Sequence, residues 1–157
     1  MPTQIPSRRN FLKTIGVATV GASIAPASLL AQGESRGIYT AYARQKIGSL
    51  SEIKKSGELD FFYPDSSSMC KALFIDGKVS AYSTLCTHKG CPMLYDPEEK
   101  VFNCPCHYSR FDAQKDGLQV IGQATAKLPR IHLEIEGDDL YAIGVDGLIF
   151  GRYANFA

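Results

Sequence analysis

The sequence predicts an all-β, antiparallel domain with a loop-rich insertion between about Cys86 and Pro129. Three observations carry this: short runs rich in aromatic and branched residues, turn dipeptides between them, and little helical periodicity anywhere after Tyr42. In chain order, Leu59-Asp60-Phe61-Phe62-Tyr63, Cys70 to Ile75 and Val79-Ser80-Ala81-Tyr82 are the first strands. Pro64-Asp65-Ser66 breaks the first from the second, and Asp76-Gly77 is a strong hairpin signal between the second and third. Toward the C-terminus Ile131-His132-Leu133-Glu134-Ile135-Glu136 alternates strictly, Gly137-Asp138-Asp139 turns the chain, and Leu140-Tyr141-Ala142-Ile143 returns. That is a β-hairpin with one buried face.

A chain of 157 residues holds one domain with tails, since domains usually run about 100 to 150 residues. Charge is nearly balanced, with 17 Lys and Arg against 16 Asp and Glu. No basic stripe suits nucleic acid, and no acidic tail reads as a disordered arm. The cysteines are uneven: four of five, Cys86, Cys91, Cys104 and Cys106, fall within 21 residues. Such clustering marks a site rather than scattered core thiols.

The first 31 residues read as an address. Ser7-Arg8-Arg9-Asn10-Phe11-Leu12-Lys13 precedes an uncharged run of small and apolar residues from Thr14 to Ala31, with Ala25-Pro26-Ala27 as a cleavage candidate. This resembles a twin-arginine (Tat) export signal and implies a periplasmic destination. The run of 18 residues lies at the lower edge of what spans a bilayer core of about 30 Å, so membrane contact is expected only if the segment is retained. Residues 32–42 are read as a linker and 43–157 as the folded domain, with the site loops at about 84–129.

Inside that insertion stand Cys86-Thr87-His88-Lys89-Gly90-Cys91-Pro92 and, 18 residues after the first cysteine, Cys104-Pro105-Cys106-His107-Tyr108-Ser109. A C-x-H beside a C-x-x-H offers two thiolates and two imidazoles, a set that suits iron-sulfur or zinc. A zinc knuckle leaves Gly90, Pro92 and Pro105 unexplained, whereas a cluster held on tight loops requires residues of that kind.

The two boxes, C-T-H-x-G-C and C-P-C-H-x-S, resemble those of the Rieske family at every defining position. The resemblance implies a Rieske-type β-sandwich or barrel carrying one [2Fe-2S] cluster. Cys86 and Cys104 would ligate one iron, His88 and His107 the other, and Cys91 and Cys106 would be joined across the loops. Two neutral imidazoles in place of thiolates raise the potential to roughly −150 to +300 mV, against about −400 mV for plant-type ferredoxins. The disulfide would close a loop of about 15 residues, for which chain entropy gives roughly 3 kcal/mol. Gly122 to Pro129 resembles the family's proline-containing loop over the cluster.

High-potential members place Gly after the second histidine, then Ser, then Tyr two residues on. This chain keeps Ser109, expected to hydrogen-bond toward the cluster sulfurs, but has Tyr108 and Phe111. Phe111 cannot donate a hydrogen bond, so the expected potential lies below that of respiratory Rieske proteins.

Beyond the boxes the sequence is most similar to the small subunit of arsenite oxidase or of its relative iodate reductase. Tyr108, Gly122-Gln123-Ala124-Thr125 and the stretch Gly144 to Arg152 carry that likeness. It implies a large molybdopterin-containing catalytic subunit as partner and a cytochrome c or cupredoxin as electron acceptor, with no independent catalysis. The alternative is the Rieske subunit of a cytochrome bc-type complex, which would need the N-terminal segment as an anchor and Tyr in place of Phe111. A ring-hydroxylating dioxygenase ferredoxin would lack the second cysteine of each box.

Three features suggest nothing more. Cys70 is expected to be a small buried residue of a strand, His132 to face solvent between Ile131 and Leu133, and Asp96, Glu98 and Glu99 to form a charged turn around Pro97.

Overall fold

A computed structural model describes residues 38–155. The expected signal segment, 1–31, and most of the expected linker lie outside the described residues. Strand β1 (Tyr39–Ser49) begins inside the stretch 32–42, so the last part of that linker is sheet. It is followed by α1 (Leu50–Ser56), β2 (Glu58–Phe62), β3 (Met69–Ile75) and β4 (Lys78–Ser83). The insertion carries β5 (Leu94–Asp96), β6 (Val101–Asn103), β7 (Arg110–Asp112), a 3₁₀ turn (Ala113–Lys115) and β8 (Leu118–Ile121). The chain ends on β9 (Arg130–Glu136), β10 (Asp139–Asp146) and an irregular tail.

The strands form two antiparallel sheets, a six-stranded one in the order β1-β10-β9-β4-β3-β2 and a four-stranded one in the order β5-β6-β7-β8. Strand β4 pairs with β9 through Ala81 opposite Ile131 and Tyr82 opposite Arg130. The chain thus leaves the large sheet at Ser83 and re-enters it beside the strand it left. Everything between is a separate subdomain on a closed base, which agrees with the expected insertion.

Local chemistry accounts for the elements. Asp76 and Gly77 both adopt positive φ, 51° and 80°, the conformation a two-residue hairpin between β3 and β4 requires. The one α-helix among the described residues was not foreseen, yet its signals stand in the sequence. The Ser49 side chain accepts from the Glu52 N–H at 3.1 Å, and Gly57 closes the helix at φ 83° with its N–H on the Ile53 carbonyl. Ile53, its one buried residue, seats the helix on the sheet. With seven residues it is too short to show a period.

Two apolar cores result. One holds Ile53, Phe61, Ile131, Leu140 and Val145 against the large sheet; the other holds Leu73, Tyr82, Phe102, Phe111 and Leu128 between the large sheet and the insertion. Cys70 is buried in β3 as expected, and burial pushes its thiol up to about 12. His132 departs from expectation: it is half-buried, with the Tyr39 ring edge-on at 4.9 Å. Gly144 permits this, because a Cβ there would lie 2.6 Å from the Tyr39 hydroxyl. The alternation in β9 was visible, but the edge strand that covers it was not.

Candidate metal centre

Both boxes lie on tight hairpin loops of the insertion. In the first, the Cys86 N–H donates to the Cys91 carbonyl at 2.9 Å, and the Gly90 N–H to the Cys86 carbonyl at 2.7 Å. Gly90 sits at φ 71°, a conformation glycine adopts without strain. In the second loop, between β6 and β7, the Cys104 N–H donates to the Ser109 carbonyl at 2.8 Å and the Tyr108 N–H to the Cys104 carbonyl at 3.1 Å. A disulfide joins Cys91 to Cys106 across the loops, their Cα atoms 6.6 Å apart.

The remaining box residues converge behind that bond. Cys86 and Cys104 are buried and unbonded, 1% and 2% exposed. The His88 and His107 rings lie edge to face at 4.6 Å. Each keeps Nδ1 buried and without a hydrogen-bond partner, a costly arrangement for a polar atom unless something occupies it. Burial pushes the Cys86 thiol pKa up, and burial with the neighbouring His107 and Lys89 pushes that of His88 down. Two buried thiols and two buried imidazole nitrogens with nothing to bind are a donor set fit for a metal centre. The sulfurs of Cys91, Cys104 and Cys106 also lie within 4.8 Å of one another, but two of these are spent on each other.

A third loop, Gly122 to Pro129, closes the site. Ser109 is fully buried, and its Oγ accepts from the N–H groups of Gln123 and Ala124, both at 3.0 Å. A Cβ on Gly122 would lie 2.3 Å from the Ser109 Cα, so glycine alone fits there. On the other side the Thr87 hydroxyl donates to the Ala126 carbonyl at 2.7 Å. These bonds tie the third loop to both box loops. Sequence reasoning foresaw the loop but not Thr87, whose threonine inside the first box was the available signal.

Phe111 is completely buried opposite Phe102. Tyr108 is 80% exposed and sits at φ 58°. Asp96 accepts from the N–H groups of Glu98 and Glu99 at 3.0 and 3.1 Å, the charged turn expected.

An antiparallel base carrying an inserted pair of disulfide-clamped Cys/His loops defines the class of small iron-sulfur electron carriers. The chain belongs to the Rieske [2Fe-2S] family, whose domain matches residues 44–132, and it carries that cluster as its cofactor. Its relatives include the iodate reductase subunit IdrB of Pseudomonas sp. (strain SCT), 39% identical over 92% of this chain and 82% of that protein. The subunit of the same name from Denitromonas iodatirespirans is 35% identical over 96% of this chain and 87% of its own. Among solved structures, the soluble domain of Rieske protein II (soxF) from Sulfolobus acidocaldarius shares the fold. Its TM-score is 0.65 at 19% identity, covering 71% of this chain and 82% of that one.

Proposed function

We propose that this chain is the electron-transfer small subunit of a molybdopterin-dependent oxidoreductase acting on an oxyanion. The observation that carries this is similarity along nearly its whole length to proteins named as subunits of iodate reductase. Cys86, Cys104, His88 and His107 are its cluster ligands, the histidines through the buried Nδ1 atoms that find no other partner. The cluster supplies a one-electron step between a two-electron catalytic partner and a single-electron carrier.

The chain's own residues do the rest. Cys91 and Cys106 hold the two ligand loops at fixed separation, Ser109 and Thr87 hold the third loop over them, and the apolar packing of Phe102, Phe111 and Leu128 excludes water from beneath. Arsenite oxidation is the reaction to which the sequence features first point. There the large subunit would feed this cluster, which would deliver to a cytochrome c or cupredoxin. A reductase of the kind its relatives are named for would run electrons the other way through the same ligands. A buried Phe111 without a hydroxyl speaks against the cytochrome bc-type reading.

Export by the Tat pathway to the periplasm is part of the proposal and rests on the twin-arginine segment alone. Among the described residues no helix is long and apolar enough to cross a membrane. Purification from periplasm with metal analysis of the co-eluting complex tests the proposal. Molybdenum beside iron, with arsenite-dependent reduction or iodate-dependent oxidation of the cluster, is the expected result. Co-elution with a b-type cytochrome and no molybdenum would overturn it.

A further inference from the structure

We propose that Phe150, carried on the C-terminal tail, is a positioning residue for the metal centre: it clamps the first ligand loop from outside. The proposal rests on the reading of His88 as a ligand, since the clamped turn lies between His88 and Cys91. A Cβ built on Gly90 would lie 2.5 Å from Phe150 Cδ1, 3.0 Å from Cε1 and 3.5 Å from Cγ. All three nearest atoms belong to one ring, so that ring lies directly against the backbone of the turn. Glycine at position 90 therefore answers two demands at once, positive φ and an aromatic ring in contact where a side chain would stand.

Core packing does not account for Phe150. Its neighbour Ile149 fills the large-sheet core at 2% exposure, whereas Phe150 leaves 42% of its surface open. The tail that carries it is tied down strongly for a chain end. The Asn155 side chain accepts from the Ile149 N–H at 2.8 Å and donates to the carbonyls of Ile149 and Arg152, both at 3.2 Å. The Asn155 carbonyl accepts from the Thr40 and Tyr42 hydroxyls at 3.1 and 2.7 Å. Arg152 donates to Asp65 at 2.8 Å and to the Tyr42 hydroxyl at 2.6 Å. A segment without regular structure is thus rigid, and its free aromatic ring is laid on a ligand loop. The second ligand loop has Ser109 and the third loop behind it, while the 88–91 turn has the disulfide on one side and Phe150 on the other.

The test uses the cluster-loaded full chain. In Phe150→Ala, amide exchange at Gly90 and Cys86 and iron release to a chelator should both rise about tenfold, the scale of a modest local opening. Exchange in α1 and in the β9–β10 ladder should stay unchanged, and the EPR g values should shift while mixed ligation is kept. Phe150→Leu retains bulk without the flat ring and should fall between; if the alanine variant does not fold, this one decides. Unchanged exchange and iron release in the variant, or a rise spread equally over both sheets, would overturn the proposal. Failure of the underlying reading would instead show as no mixed-ligand cluster in the unmutated protein.

Discussion

Asp65 and Arg152, 87 positions apart, meet at 2.8 Å and bind the C-terminal tail to the turn after β2. The pair is reinforced where Ser67 and Ser68 donate to the Asp65 carboxylate and where the Arg152 guanidinium lies 4.7 Å over the Tyr42 ring. The Arg152 hydrogen bond, followed by those of Ser67 and Ser68, holds the Asp65 carboxyl well below the usual carboxylate range. A carboxylate with a depressed folded pKa contributes stability above its unfolded pKa, near 3.9, and loses it as pH falls through the lower folded value. With Asp65 38% exposed, the contribution at neutral pH is set at about 1 kcal/mol after screening. Asp65→Asn should therefore be less stable than the parent in urea at pH 7, with the gap narrowing below about pH 4. A gap independent of pH would refute the assignment.

Tyr108 occupies a left-handed conformation at 80% exposure, so its ring recovers little burial energy in this chain. A non-glycine residue there costs roughly 1 to 2 kcal/mol, partly offset by the greater unfolded entropy of glycine. Tyr108→Gly should raise the denaturation midpoint by an amount equivalent to about 0.5 to 1 kcal/mol. A loss of stability would show that the tyrosine makes a contact worth more than its strain.

Ser109 accepts two backbone N–H groups while fully buried. Ser109→Ala leaves both donors without an acceptor, at a cost of about 2 kcal/mol. The midpoint potential should fall as well, because the hydroxyl proton not used toward the third loop is free to serve the cluster. Square-wave voltammetry beside a urea titration separates the effects; an unaltered potential would leave Ser109 a purely structural tie.

Phe111 is fully buried, and the family resemblance puts a tyrosine hydroxyl at this position in high-potential members. Phe111→Tyr should raise the midpoint potential, since hydrogen bonds to cluster sulfurs stabilise the reduced form. A potential unchanged or lowered in a folded variant would mean that the ring at position 111 points away from the ligands.

The parts of this structure written in local chemistry were legible in the sequence. Asp76-Gly77, the β9–β10 hairpin and the two Cys/His boxes each follow from a few adjacent residues, and the structure places them as expected; the strict alternation expected of β9 is not kept, since His132 is half-buried and Ile135 is exposed. Strands of three residues, such as β5, β6 and β7, are too short to carry a period; they pair in register with one another around the ligand loop between β6 and β7. Strand β1 was hidden because its faces alternate irregularly across two register shifts against β10. The contacts of Thr87 with Ala126 and of Phe150 with Gly90 join residues 39 and 60 positions apart. Nothing local announces them; only the closed base that brings Arg130 back beside Tyr82 makes them possible.

By the proposed assignment, the thiolates of Cys86 and Cys104 and the imidazoles of His88 and His107 hold the cluster. EPR of the gently reduced protein, with pulsed detection of nitrogen couplings, reads that ligation directly. A spectrum of low average g with couplings from two histidine nitrogens, one of them lost in His88→Cys, is the predicted result. A spectrum of the all-sulfur type, or an EPR-silent protein loaded with zinc, would contradict it.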